Sequence, residues 1–523
     1  MHSQAPALSG AAMNSPPGLT LPRTLMVVAL YALVHAMTRL ISSGNLGEDD
    51  PLDNLLIQQL SAGYGIEHGP LYDWALWLIQ KITGPTLPGF LALKYSLLVV
   101  MAGLLYSLTR RMTQSSLWAF IAVESMASVY QIFWRFHEGF THRVGAMALT
   151  LALVWALLRV AEGRWQRDIL LFGLLAGFGL LSEHIVAFSL VALLLAAWLQ
   201  PAMRRRVFTT RLPLALLPAL LIASPYLLWL QADNTRLEAL QEVLFPPLPG
   251  QSGQALGASM RDALTFPIFV LSPYILVVLA TFPAIFRLLG RPAAANASPD
   301  EIDTSRFIGT FLLIELAGHL IYNGLVYSRA GYAVHSILPM LVVAIAWLTG
   351  KAWQTRPSDK RVRVFIWILL AFTVTAYGVR SGNLFIYEPF CSRCRWGTPY
   401  DDLAEQLKQH GFRQGMIVTN DVHTGGNLRR FFPDSHIVLN SEPATFNAGK
   451  DQGREPVAIV WPNTAAPAGI PEFARPFIPV GAEASRISQF HISWKHRLKP
   501  AGYRHSDWSA ILIEPVTKAA PSP

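Results

Sequence analysis

The chain has 523 residues, 52% of them hydrophobic and only 14% charged, and the apolar residues gather in long blocks with the charges confined to the gaps. That pattern excludes an ordinary soluble globule. The net charge of +9 does not point to a nucleic-acid partner, because Lys and Arg follow membrane topology instead of forming one basic patch.

Residues 1–20 are rich in Pro, Ser, Ala and Gly and lack the charged n-region of a signal peptide, so they read as a disordered tail. A hydrocarbon layer of about 30 Å needs roughly 20 helical residues, and the apolar blocks predict about eleven spans. The earlier ones lie near Leu25–Leu40, Pro88–Leu108, Leu117–Trp134, Val144–Val160, Ile169–Leu181 and Ile185–Leu199. The later ones lie near Leu212–Leu230, Phe266–Phe286, Phe307–Val326, Ala333–Leu348 and Val364–Tyr377. The expected class is an all-α polytopic membrane protein with its transmembrane domain at 21–380 and the lipid bilayer as its solvent.

Counted alternately, the loops on one side hold about eighteen Lys and Arg and those on the other about seven. Arg110, Arg111, Arg204, Arg205, Arg206, Arg287, Arg291, Lys360 and Arg361 belong to the rich side. The N-terminus is therefore expected in the cytoplasm, and an odd number of spans places residues after about 380 outside. Nine spans with two re-entrant segments satisfy the same charge count.

The first outer loop, 42–87, holds Glu48, Asp49, Asp50, Asp53, Glu67, His68 and Asp73. Asn54–Leu60 reads as a short amphipathic helix, Gly63–Gly69 as a turn, and Leu71–Ile82 as a second helix with Trp74 and Trp77 at the membrane interface. A second outer loop, Gln231–Asp262, carries Pro246, Pro247, Pro249, Gly250 and Gly253, the composition of a mobile lid. Cys391 and Cys394, the only cysteines, fall just past the last span, where an oxidising compartment favours a structural disulfide. Residues 381–523 form the expected extracytoplasmic α/β domain. Its helices are placed at Asp401–Gln409 and Gly426–Phe432, its strands at Gly415–Asn420, Ile437–Asn440, Val457–Trp461 and Trp508–Glu514.

Several constellations could carry chemistry. Glu48-Asp49-Asp50 directly after the first span could accept a proton from an acceptor hydroxyl or hold a divalent metal cation, against the alternative of solvated loop charges. Glu67-His68-Gly69-Pro70 forms a tight turn that would point Glu67 and His68 the same way. Arg135, His137, Glu138, His142 and Arg143 crowd one short loop, where the two histidines, His137 and His142, and Glu138 could bind metal or simply pair as surface charges. Lys94, Glu124, Glu183, His184, Glu315, His319 and His335 lie at membrane depth and need partners, Lys94 with Glu124 being one candidate pair. Arg329, Tyr332 and His335 sit where a lipid phosphate would lie, as an anion site or as snorkelling interfacial residues.

The order of these features resembles the GT-C class of membrane glycosyltransferases, in the protein O-mannosyltransferase-like branch that includes aminoarabinose transferase-like and Rgt-like enzymes. Those carry Asp-Glu after the first span and later Glu-Lys-Pro-Pro or Asp-His-Pro-Pro. Here Asp49 or Asp50 matches the catalytic Asp, Glu67 and His68 the acidic-basic step, and Pro70 its last proline. Ser224-Pro225-Tyr226-Leu227-Leu228-Trp229 is similar to the family's Ser-Pro-x-Leu-Leu-Trp, and Arg329–Pro339 to its basic stretch before a final Leu-Pro. Leu403–Leu428 looks like the start of its extracytoplasmic domain.

The resemblance implies that Asp49 or Asp50 is catalytic and that Glu67, His68, His184, Arg329, Tyr332 and His335 bind substrate. Two positions depart from the pattern. The family's Ser-Lys-Tyr reads Ser182-Glu183-His184, and its Thr-Asp reads Thr141-His142, so a second acid is missing unless Glu138 replaces it. The implied donor is a polyprenyl-phosphate sugar, and the acceptor an envelope glycan, lipid or protein at the outer face of the bacterial inner membrane. Hexosyl or pentosyl transfer with inversion is the implied reaction. A flippase without covalent chemistry would show inverted repeats, and a polysaccharide polymerase or ligase a late loop dense in Arg and His; the polar residues here crowd the first loop instead.

Overall fold

The structure is a computed structural model. It describes residues 19–514 apart from 140, 164–165, 246–252, 290–299, 327–336, 392–393, 442–444, 446–454, 464–469, 479–486, 497 and 501; most of the expected tail at 1–20 lies outside the described residues. Its helices begin and end where local chemistry dictates. α1 (Leu21–Ser42) has a proline in its first turn, where a missing N–H costs nothing. α2 (Asp50–Leu56) and α3 (Leu71–Thr83) occupy the first loop, and α4 (Leu87–Thr113) again starts on proline and stops at Gln114, left-handed at φ 53°. α5 (Ser116–Ser125) is capped by Ser115, whose hydroxyl accepts the Trp118 N–H. After α6 (Tyr130–Phe133), α7 (His142–Glu162) is closed by Gly163 at φ 69°. α8 (Gln166–Ser182) and α9 (Ile185–Leu199) follow.

Among the described residues, seven helices are long and apolar enough to cross a membrane, or up to nine if each of two bent pairs is one span. The bent pairs are Ser116–Ser128 with Tyr130–His137, at 72°, and Ile185–Leu199 with Pro201–Val207, at 114°. Two shorter helices of 17 residues, α8 and Leu338–Gln354, occupy the remaining expected positions. α7 is the axis of the bundle: 83% of its apolar window is buried, against 28% for α1. Met26, Leu30 and Leu33 of α1 instead face outward, as they do when lipid is the solvent.

The segment expected to be a mobile lid is largely helical. Asp233 accepts the Thr235 N–H at 3.0 Å and starts the helix Asn234–Leu244, and Gly253–Thr281 is a second helix; the proline cluster between them lies outside the described residues. A local cap and an apolar face outweighed the composition that suggested a loop.

The C-terminal region carries a five-stranded sheet of order β2-β1-β3-β5-β4. β1 (Met416–Thr419) pairs in parallel with β2 (His436–Leu439) and β3 (Val457–Pro462). β4 (Ile487–Ser493) and β5 (His505–Ile513) add an antiparallel hairpin on the β3 side. The helix expected at Gly426–Phe432 instead spans Val422–Leu428, because Asp421 accepts the Thr424 N–H at 2.7 Å and starts it earlier. The Cys391–Cys394 disulfide is formed.

The sheet domain grips the first loop. Leu55 of α2 is fully buried in the core of this domain, among Leu403, Leu407, Leu428 and Ile437. Gly426 lies so close to α2 that a Cβ would fall 2.3 Å from the Pro51 carbonyl oxygen, so only glycine allows the approach. Asn54 donates to the Gly426 carbonyl at 2.8 Å, and Asn427 accepts the Leu46 N–H at 2.8 Å. Leu55→Ala should therefore destabilise the domain contact by about 2–5 kcal/mol. Limited proteolysis of the purified protein should then cut the first loop far faster than in wild type, while the hydrophobic bundle stays intact.

Candidate active site

The loop from Ser43 to Asp49 turns the chain off α1 and lays α2 across the end of the bundle. Glu48 sits at φ 53°, a left-handed position that turns the acidic run back toward α7. Gly139 of the short loop before α7 packs on it, its Cβ position 2.6 Å from the Gly47 carbonyl oxygen. This places Asp49 at the exposed N-cap of α2, with Asp50 and Asp53 turned inward and buried.

Burial drives the Asp50 carboxyl up to about 7, opposed by the buried Lys94 ammonium on α4, its strongest favourable charge. Lys94 therefore answers Asp50 and not Glu124, as the sequence had suggested. Glu124 lines a separate cavity with Tyr31 and His35 between α1 and the helix Asp359–Gly382. The Asp49 carboxyl is raised too, first by desolvation and then by Asp53, against the pull of Arg143, His142 and His68.

Three buried groups from three elements converge below α2. His142 Nε2 lies 3.4 Å from Asp53 Oδ1 and 3.7 Å from Asp73 Oδ1. The donor atoms of Asp53, Asp73 and His142 all fall within 4.8 Å of one another. Asp53 Oδ2, Asp73 Oδ1 and His142 Nδ1 are buried without a hydrogen-bond partner among the described residues. Two carboxylates and one imidazole with unsatisfied atoms suit a divalent cation of intermediate hardness; without one, His142 bridges the two acids. Burial raises the Asp73 carboxyl well above the usual carboxylate range, even against His142.

The His142 ring stacks on His68 with centroids 4.8 Å apart, and His68 Nδ1 contacts Glu183 Oε1 at 3.1 Å. Arg143 Nε approaches the same oxygen at 4.0 Å. Desolvation alone would raise the Glu183 carboxyl, but His68, then His142 and Arg143, hold it down at about 2. The acid found where a lysine was expected is thus neutralised inside the site, by His68 and Arg143.

Two cavities meet here. A chamber of about 300 Å³ is lined by Glu67, His68, Arg143, Glu183, His184 and His319, among others. An apolar groove of about 720 Å³ runs along α8, α9 and the helix Leu216–Gln231, between residues such as Phe172, Leu190, Leu216 and Tyr226. His184 and Ala187 line both, so the groove leads into the chamber. His184 Nε2 contacts the Ile66 carbonyl oxygen at 3.0 Å, which ties α9 to the first loop.

The comparisons with known proteins agree with this architecture. Residues 67–229 match the family model for dolichyl-phosphate-mannose-protein mannosyltransferase. The chain is 23% identical over 460 residues to lipopolysaccharide core galacturonosyltransferase RgtA of Rhizobium johnstonii, covering 86% of this chain and 89% of that one. RgtB of the same organism is 26% identical over 446 residues, with 83% and 86% covered. The structure of ArnT from Cupriavidus metallidurans bound to undecaprenyl phosphate superposes with a TM-score of 0.58 at 12% identity, over 92% of this chain and 97% of that chain. Together these likenesses support a GT-C membrane glycosyltransferase. The mostly helical bundle with its small C-terminal sheet is the GT-C fold.

Within this fold, Asp49, Asp50, Glu67, His68 and His184 gather at one end of the bundle, on the side of the sheet domain. Arg329, Tyr332 and His335 lie outside the described residues. His137 and Glu138, expected as metal ligands, have other partners in the structure. His137 spends both ring nitrogens on tyrosines, Tyr31 at 3.0 Å and Tyr95 at 2.9 Å, and stacks on His35 at 3.9 Å. Glu138 is held by Arg135 at 2.8 Å and Arg380 at 3.1 Å. The acids that approach His142 are Asp53 and Asp73. No single motif carried that triad, since its members lie in α2, α3 and α7.

Asp50 and Asp73 hold protons in the folded state at pH values where the unfolded chain has released them. For acids with raised folded pKa, that contribution is complete below about 4 and is lost as pH climbs toward about 7. The melting temperature of the purified enzyme should fall across that window. Asp73→Asn should flatten the slope, measured by differential scanning fluorimetry in detergent; an unchanged slope would contradict the buried protonated carboxyl.

Proposed function

We propose that this GT-C enzyme transfers a hexosyl or pentosyl unit, with inversion, from a polyprenyl-phosphate donor to an envelope glycan, lipid or protein acceptor. The observation that carries this reading is the apolar groove running into a chamber lined by His68, Arg143 and His184. A polyprenyl tail fits the groove, and a phosphosugar fits the chamber at its end. The names of the relatives RgtA and RgtB favour a glycolipid of the lipopolysaccharide core as acceptor and a hexuronosyl unit as cargo. The reaction belongs on the outer face of the bacterial inner membrane, with the N-terminus in the cytoplasm and the C-terminal domain outside.

In this mechanism Asp49 is the base. It is exposed at the head of α2, where an acceptor hydroxyl can reach it, whereas Asp50 is buried within the field of Lys94. Asp49 takes the hydroxyl proton as the acceptor oxygen attacks the anomeric carbon. The bond from that carbon to the phosphate oxygen breaks, and polyprenyl phosphate leaves with the bonding pair. Arg143 and His68 stabilise its charge, with Arg329 and His335 contributing from the segment after the helix Thr304–Val326. The raised Asp49 carboxyl suits a base working nearer neutrality than a free aspartate.

Asp49→Asn should lower kcat by about 10²–10⁴-fold with little change in donor KM. Arg143→Gln should chiefly raise donor KM, by roughly tenfold or more for the loss of one charge-assisted contact. Radiolabelled sugar transfer in proteoliposomes measures both, and full turnover by Asp49→Asn would remove the mechanism.

Asp53, Asp73 and His142 would hold a divalent cation, which supplies a fixed positive charge beneath the acidic loop. Manganese should then raise the melting temperature of wild-type protein at pH 8 but not that of Asp53→Asn. Equal melting shifts in the two proteins would leave the triad as a His-bridged carboxylate pair.

A further inference from the structure

A second polar cleft lies away from the donor chamber, where the end of α1 meets the sheet domain. Its volume is about 360 Å³, and its walls come from Ser43–Asn45, Trp396–Pro399, the start of the helix Tyr400–Gln409, Arg430 and Lys495. The donor groove and chamber share none of these residues.

The floor of the cleft is fixed in place by hydrogen bonds across the two parts of the chain. Asn45 donates to the carbonyls of Trp396 at 3.0 Å and Thr398 at 2.7 Å, and the Ser43 hydroxyl donates to the Trp396 carbonyl at 2.5 Å. Arg430 is oriented by Asn45 Oδ1 at 3.1 Å and Asn427 Oδ1 at 3.2 Å. Its Nε is nevertheless buried without a hydrogen-bond partner among the described residues. Asp401, exposed on the first turn of its helix, is the acid whose charge Arg430 feels, yet no ion pair closes between them within 4.0 Å among the described residues. Asp402 is already taken by Lys495 at 2.7 Å.

A buried N–H without an acceptor costs free energy that a ligand oxygen would recover. An acceptor carboxylate and a donor guanidinium in one cleft, beside a half-buried indole, match the hydroxyl and C–H faces of a sugar ring. Acids and bases are mixed along the walls, which suits a polyhydroxyl ligand better than a phosphate or a lipid tail. The cleft also leads to the reaction. A Cβ at Gly47 would lie 2.6 Å from the Trp396 ring, so the indole abuts the backbone that runs directly into Glu48 and Asp49.

We propose that this cleft is a saccharide subsite that holds the acceptor glycan, with Asp401 and Arg430 as its hydroxyl-reading pair. The assignment rests on the reading of the protein as a transferase with Asp49 as base. It gives the sheet domain a role in choosing the acceptor, while donor recognition stays in the bundle.

The test uses the full chain in nanodiscs and a lipopolysaccharide core oligosaccharide freed of lipid A. Isothermal titration calorimetry should show binding to wild type that weakens at least tenfold in Asp401→Asn and in Arg430→Lys. In transfer assays the same variants should raise acceptor KM by a similar factor while donor KM stays at the wild-type value. Absent binding in wild type, or undiminished binding in both variants, overturns the subsite. A wild-type protein that binds the oligosaccharide but transfers no sugar overturns the transferase reading and leaves the subsite standing. Circular dichroism melts of the two variants within a few degrees of wild type exclude a folding defect as the cause.

Discussion

The first loop is held by two different solvents' worth of structure, and the site depends on that grip. Its apolar side, through Leu55, completes the core of a water-facing sheet domain, and Gly426 permits backbone contact with α2. Its other side is pressed against α7 by the close approach of Gly139 to Gly47. A loop of acidic residues tethered at one end only would sample many conformations. Fixed from both sides, it leaves Asp49 exposed while Asp50 and Asp53 are buried.

Electrostatics then divides labour among groups that look alike in sequence. Asp49, Asp50, Asp53 and Asp73 are four carboxylates within one loop and its helices, and their surroundings separate them. Lys94 answers Asp50, and His142 lies between Asp53 and Asp73. Only Asp49 is left exposed at the surface. The same logic absorbs Glu183. Glu183 stands where the resemblance implied a lysine, and His68 and Arg143 hold it in an ion-paired cluster.

The bundle and the sheet domain meet at the reactive end, and each contributes a different surface. The bundle offers an apolar groove, as befits helices whose outer faces are solvated by hydrocarbon. The sheet domain offers polar walls and backbone hydrogen bonds, as befits a water-facing structure. Between them lies Trp396, with the Arg39 guanidinium 4.0 Å from its ring centre on one side and Gly47 against its edge. Within the bundle Arg380 pairs with Glu138 at 3.1 Å and lies over the Trp396 ring, 5.9 Å from its centre.

What the sequence determined by itself was whatever depends on near neighbours. Long apolar runs specify helices and bury or expose them as a bilayer demands, and the prolines of α1 and α4 mark where helices start. The acidic run Glu48–Asp50 and the turn Glu67–Pro70 stand out in the sequence because each is carried by a short stretch of neighbouring residues. The strand β4 was not legible, because its inward and outward residues alternate around histidine, glutamine and serine and its partner lies across a hairpin. Nor were the pairings of His142 with Asp53 and Asp73, or of Glu138 with Arg380, which join residues dozens to hundreds of positions apart. Only the tertiary structure decided those, because the energy of a buried charge depends on which distant groups surround it once water has been excluded.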